Sequence, residues 1–308
     1  MDDKSSSKKK KDTQSYWEAI VSNRDTANSL LSAGTTGQNL FEKMATLNIN
    51  YRINEERYHR CPRCWYCSTR CVCDSMPDRI DKDELSTTNV KILLLMHHKE
   101  YLNAGNSAKS LIALLPTEYL TLYVYGREGD FDRCIDEMMI NHGRHTAILW
   151  PGESAISVEE FISSTKSSDQ TMMESERNDD GVNVDKKKQD TEEGEDKEEA
   201  TDAINRIVAL DGTYKNAKNM YKTIRQRLGE KGAQQDMPSC IALHPKSVSK
   251  FHRAKKNYGT AIANNKLDEM ALRVSTAEAC ALLLTELGAA ESVQEKIIKA
   301  LLVNNCNR

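Results

Sequence analysis

Five thiols crowd into thirteen positions of the chain, Cys61-Pro-Arg-Cys64-Trp-Tyr-Cys67-Ser-Thr-Arg-Cys71-Val-Cys73. A CxxC knuckle followed closely by CxC can wrap a tetrahedral zinc, with Cys61, Cys64, Cys71 and Cys73 as ligands and Cys67 left over. With all four positions taken by protein sulfur, such a site is structural. A second set overlaps the first. Cys61, Cys64, Cys67 and Cys71 have the C-x2-C-x2-C-x3-C spacing that holds iron–sulfur clusters, although Val72 stands where proline normally follows. Absence of any metal is the third reading. Cys134, Cys240, Cys280 and Cys306 stand singly, as small buried hydrophobes do.

A second group of residues with chemical potential is Leu210-Asp211-Gly212-Thr213-Tyr214, where an apolar run meets a turn and then a helical pattern. It brings together a carboxylate able to accept a proton, a hydroxyl and an aromatic face. Each also has a local explanation. Asp211 or Thr213 could cap the helix, Gly212 could supply the turn, and Tyr214 could pack on a sheet. Ser275-Thr276-Ala-Glu278 has the S-x-x-E spacing of a capping box, and Pro151-Gly152-Glu153 reads as a turn. His97 and Glu100, just past an apolar run, could serve loop hydrogen bonds or ligand contact.

Elements that would position these residues follow from periodicity. Apolar runs at 90–96, 119–125, 146–150, 206–210 and 239–243 read as strands. Helical patterns occupy 106–115, 130–141, 216–228 and 276–287, with Ala217, Met220, Ile224 and Leu228 on one face of the third. The alternation predicts an α/β fold with a mostly parallel sheet, preceded by a small cysteine knuckle. Ligands of such sheets settle beyond the carboxyl ends of the strands, here His97, 150–154, 210–214 and the residues before Thr276.

At 308 residues the chain suits one catalytic domain with tails. Residues 1–54 read as an N-terminal extension whose start is disordered, and 55–305 as the domain, interrupted by an acidic disordered insertion at 163–203. Between 169 and 202 fourteen acidic residues face five basic ones, so the overall charge of -3 leaves about +6 for the rest. That balance is compatible with a phosphate-bearing partner. No run approaches the ~20 apolar residues of a membrane span, and no signal peptide is evident. The expectation is an intracellular protein, in cytoplasm and/or nucleus, with no membrane and no obligate protein partner.

Together, in this order, the segments resemble the DTW-domain family of tRNA-uridine aminocarboxypropyltransferases. The resemblance rests on the knuckle ending Cys71-Val-Cys73, on His97-His-Lys-Glu100 with Asn106, and on Trp150-Pro-Gly-Glu-Ser-Ala155. Asp211-Gly-Thr-Tyr214 with Ala217 and Met220, and Ser275-Thr-Ala-Glu-Ala279, complete it. Two departures stand out: Tyr214 replaces the tryptophan that ends the naming motif, and His98 replaces a usual proline.

The resemblance implies a SPOUT-like fold with a C-terminal trefoil knot, and S-adenosyl-L-methionine bound by Pro151, Gly152, Glu153, Leu210, Gly212, Ser275 and Thr276. It further implies transfer of the 3-amino-3-carboxypropyl group to N3 of a tRNA uridine, releasing methylthioadenosine. On that reading Asp211 is the base, Thr213 orients it or the ligand, and Tyr214 stacks on adenine or the target base. Lys215, Lys218, Lys222, Arg225 and Arg227 would face the RNA. Alternatives are a SPOUT-type RNA methyltransferase and a non-catalytic zinc-containing RNA-binding or assembly factor.

Overall fold

The computed structural model describes residues 37–54, 60–140, 145–152, 154–165, 205–232, 237–244 and 274–306, with isolated positions between 25 and 34. Strands β1 (Val90–His97), β2 (Leu120–Tyr125), β3 (Thr146–Leu149), β4 (Ile156–Ser157), β5 (Asn205–Asp211) and β6 (Ser239–Ala242) form one sheet. The order is β2-β1-β5-β3-β6-β4, and every neighbouring pair is parallel. A parallel strand has to be covered on both faces. The Val-Lys-Ile-Leu-Leu-Leu-Met-His run of β1 meets that need: Ile92, Leu94 and Met96 enter one apolar layer, Leu93 and Leu95 the other.

Helices α2 (Lys109–Leu114), α5 (Thr276–Glu286) and α6 (Glu291–Cys306) supply the first layer through Leu111, Leu114, Ala281, Leu284, Ile297 and Leu301. Helices α3 (Asp130–Met138) and α4 (Tyr214–Glu230) supply the second, with Phe131, Ile135 and Met138 packed beside Met220, Ile224 and Leu228. Each such fully buried aliphatic side chain contributes about 1.5–3 kcal/mol. Four residues of the expected α4 stripe, Ala217, Met220, Ile224 and Leu228, are indeed buried.

Several elements were not expected. Helix α1 (Gly37–Asn54) crosses the carboxyl ends of β1 and β2, where its apolar contacts are the spaced Phe41, Ala45 and Ile49 rather than a strong stripe. Gly126 lets it approach: φ is 101°, and a Cβ there would stand 2.6 Å from that of Ala45. Helix α6 carries Val293, Ile297, Ala300 and Leu301 at helical spacing. The edge strand β4 is only two residues long. Residues 163–165, placed by composition in the acidic insertion, instead finish a helical stretch over 158–165, and Thr165 is buried. The rest of that insertion, and residues 1–24, lie outside the described residues. Among the described residues no helix is long and apolar enough to cross a membrane.

Candidate functional site

The fold gathers four of the five clustered cysteines. Sγ of Cys61 lies 3.3 Å from Sγ of Cys73, Sγ of Cys64 lies 3.7 Å from Sγ of Cys71, and all four sulfurs are within 4.8 Å of one another. Four sulfurs tetrahedrally placed ~2.3 Å from a zinc stand about 3.8 Å apart, so the tetrad fits that ion. Cys67 is turned instead to Thr69 Oγ1 at 3.3 Å, so the residues brought together are the zinc set and not the iron–sulfur set. The knuckle closes through Cys61 N–H to Tyr66 O and Trp65 N–H to Cys61 O, each 2.8 Å, with Trp65 in the left-handed region at φ 59°. Burial pushes the Cys64 and Cys73 thiols up, reinforced by neighbouring thiols. In Cys61 desolvation is outweighed by the Cys64 main-chain N–H and the Cys73 thiol, which bring it down to about 7. Four thiols so placed do not ionise together without a cation among them.

The second centre lies at the carboxyl edge of β5. Because the strand continues through Asp211, side-chain alternation sends Asp211 to the α2 and α5 side, whereas Leu210 enters the layer of α3 and α4. Asp211 is 3% exposed, and Asn106 Nδ2 donates to its Oδ2 at 2.6 Å. The same Nδ2 lies 3.4 Å from Glu100 Oε2. Asp211 is therefore a strand residue, not the cap; Thr213 caps α4, its Oγ1 accepting from Asn216 N–H at 3.3 Å. Ser275 caps α5 in the same way, accepting from Glu278 N–H at 3.3 Å. Gly212 is hemmed in, since a Cβ would stand 3.2 Å from that of Asn216 and 3.4 Å from that of His97.

A row of aromatic rings flanks this edge on the opposite face. Trp150 lies parallel to Tyr221 (5.1 Å, 6°) and nearly parallel to Tyr214 (6.0 Å, 16°), and Tyr214 is 61% exposed. Trp150 is fixed by its N–H to Ile241 O at 3.1 Å, and Pro151 and Gly152 follow it on the surface, closed by Ala155 N–H to Gly152 O at 3.0 Å. Glu153 lies outside the described residues. Of the cations on α4, Lys215, Lys218, Lys222 and Arg225 are exposed, while Arg227 is committed to Asp132 at 2.6 Å.

His97 ends β1 and His98 follows it beneath α1, their rings 4.5 Å apart and that of His98 5.5 Å from Phe41. Burial, with Lys99 adding to it in both and His97 adding to it in His98, pushes the two imidazoles down to about 4. The N–H of His98 donates to Tyr125 O at 3.1 Å, a bond that a proline at this position could not make. Arg52 of α1 reaches over to Lys99 O at 2.9 Å and Tyr101 O at 2.5 Å, gripping the loop that leads to Asn106. Arg52, Lys109 and Tyr221 were not anticipated, because nothing local distinguishes them from surface residues.

An all-parallel α/β sheet with a four-thiol centre packed on one layer, and polar motifs gathered at its carboxyl edge, defines the class of protein. The chain belongs to the DTW-domain family, whose model matches residues 58–305. Helix α1 precedes that match. Neither the curated proteins nor the solved structures compared with the chain give a match.

Proposed function

We propose that this chain is a tRNA-uridine aminocarboxypropyltransferase that uses S-adenosyl-L-methionine. The observation that carries the reading is the meeting of separate family segments at one sheet edge: Asp211 of β5 held by Asn106, with Trp150, just past β3, stacked on Tyr214 of α4. Two glycines, Gly152 and Gly212, allow close main-chain approach there, beside a buried carboxylate and an aromatic face, a donor set that suits a methionine–adenosine ligand. Pro151, Gly152, Glu153, Leu210, Gly212, Ser275 and Thr276 would hold it. A SPOUT-like knot belongs to the same proposal, and residues 245–273, which would form it, lie outside the described residues.

The sulfonium of the bound donor makes its aminocarboxypropyl carbon electrophilic, so that uridine N3 bonds to that carbon as the bond to sulfur breaks and methylthioadenosine leaves. The chain's own part begins with Asp211, whose carboxylate accepts the N3 proton. Asn106 keeps that carboxylate in one orientation, and Thr213 fixes the turn that follows. Tyr214, exposed and backed by Trp150, stacks on a base of the RNA, and Lys215, Lys218, Lys222 and Arg225 meet phosphates. Zinc at Cys61, Cys64, Cys71 and Cys73 is structural.

The test is product labelling with tRNA and donor labelled in either the methyl or the methionine carboxyl. Label reaching RNA only from the carboxyl form is expected. Methyl label in RNA would establish the methyltransferase instead, and no label from either form, with tRNA still bound, would establish a non-catalytic binding factor.

A further inference from the structure

Lys109 is wholly buried, 0% exposed, although it opens a helix only six residues long. A buried ammonium is tolerated only where its hydrogen bonds are met. Its Nζ donates to Cys64 O and to Ala104 O, both at 2.6 Å, and lies 4.0 Å from the centre of the Tyr66 ring. The first of these acceptors is the carbonyl of a cysteine of the tetrad, and Tyr66 is the residue whose carbonyl closes the knuckle. The lysine side chain is thus a strut between the cysteine centre and the loop before α2. Four thiolates around a divalent ion leave a net charge of about -2, which a buried cation on a ligand's own carbonyl helps to offset.

The main chain of the same residue points the other way. Lys109 N–H donates to Asn106 Oδ1 at 3.0 Å, which sets the plane of the Asn106 carboxamide so that Nδ2 faces Asp211 Oδ2 at 2.6 Å. A single residue therefore joins the two centres: Cys64 carbonyl, Lys109 side chain, Lys109 amide, Asn106 carboxamide, Asp211 carboxylate. We propose that Lys109 is a positioning residue, acting through Asn106, by which the metal-holding knuckle fixes the Asp211 carboxylate. The function of that carboxylate rests on the reading above; the coupling itself does not. It also gives the zinc a role beyond local folding, because loss of the ion frees the Cys64 end of the strut.

Coupling between two sites is reciprocal and typically amounts to a factor of about 5–150. Cutting the link at Asn106, which holds no metal, is therefore expected to weaken zinc. In the full-length protein, the zinc affinity of Asn106→Ala, measured by competition with a chromophoric chelator, is expected to fall about fivefold or more. In the wild type, the Asn106 side-chain amide should give a downfield, slowly exchanging NMR signal that moves in the zinc-loaded Lys109→Met variant. Unchanged zinc affinity in Asn106→Ala would overturn the proposal, leaving Lys109 a purely structural strut. Should Lys109→Met fail to fold, Asn106→Ala alone decides. If both signals change as expected while labelled donor transfers nothing to tRNA, the coupling stands and the transferase reading fails.

Discussion

On the proposed function, replacing Tyr214 separates stacking from phosphate attraction in tRNA binding. The ring is 61% exposed and stacks on Trp150 at 6.0 Å, towards the far end of the range in which aromatic pairs interact. Tyr214→Ala should therefore alter stability by no more than about 0.5 kcal/mol, as at an ordinary surface position. Loss of one base stack costs about 1–3 kcal/mol, so the Kd for tRNA should rise about 5–150-fold. Tyr214→Trp, which keeps and enlarges the aromatic face, should bind as well as or better than the wild type. Because a ring carries no charge, Tyr214→Ala should leave the slope of log Kd against log salt unchanged, whereas Lys222→Ala should reduce that slope by about one. Fluorescence anisotropy of labelled tRNA across a salt series reads both effects, with a thermal melt as the control for folding. A folded Tyr214→Ala protein whose Kd moves less than twofold, or whose salt slope changes, would refute the stacking argument.

Purified protein should be colourless and hold one zinc, and Cys71→Ser should lose it while Cys67→Ser retains it, as metal analysis would reveal. Gly212→Ala should cost about 1–3 kcal/mol by overpacking against Asn216 and His97, and should lower transferase turnover more than it lowers the melting temperature. His97 and His98 have folded pKa values depressed from 6.5 to about 4, so between those limits the unfolded chain binds more protons. Stability is then fully present above pH 6.5 and lost as pH falls towards 4, by at most about 3 kcal/mol per imidazole. His98→Phe should flatten that pH dependence in urea unfolding, and an unchanged profile would show that the buried ring is not its source.

Much of the frame was legible in the residues because burial imposes repetition. The apolar runs at β1, β2, β3, β5 and β6 had to be sheet-forming and covered on both faces, and the stripe of α4 could only be a packed helix. Cysteine spacing offered Cys61, Cys64, Cys71 and Cys73 beside an overlapping iron–sulfur set, and the fold separated the two by turning Cys67 to Thr69. Helix α1 was hidden, because its contacts are a few small or spaced residues whose value depends on the glycine opposite.

The polar partnerships were another matter. Residue types and order determined that a carboxylate, two glycines and an aromatic ring would lie at strand ends, because propensity and periodicity act over a few positions. Only the tertiary structure decided which way each pointed. One extra residue of pairing at the end of β5 turns Asp211 towards Asn106, 105 positions away in the chain, and leaves Tyr214 with Trp150 on the other face. Likewise a lysine at position 109 is chemically a surface residue until two carbonyls and a ring enclose it. Such contacts depend on register and on the meeting of distant segments, which local sequence does not encode.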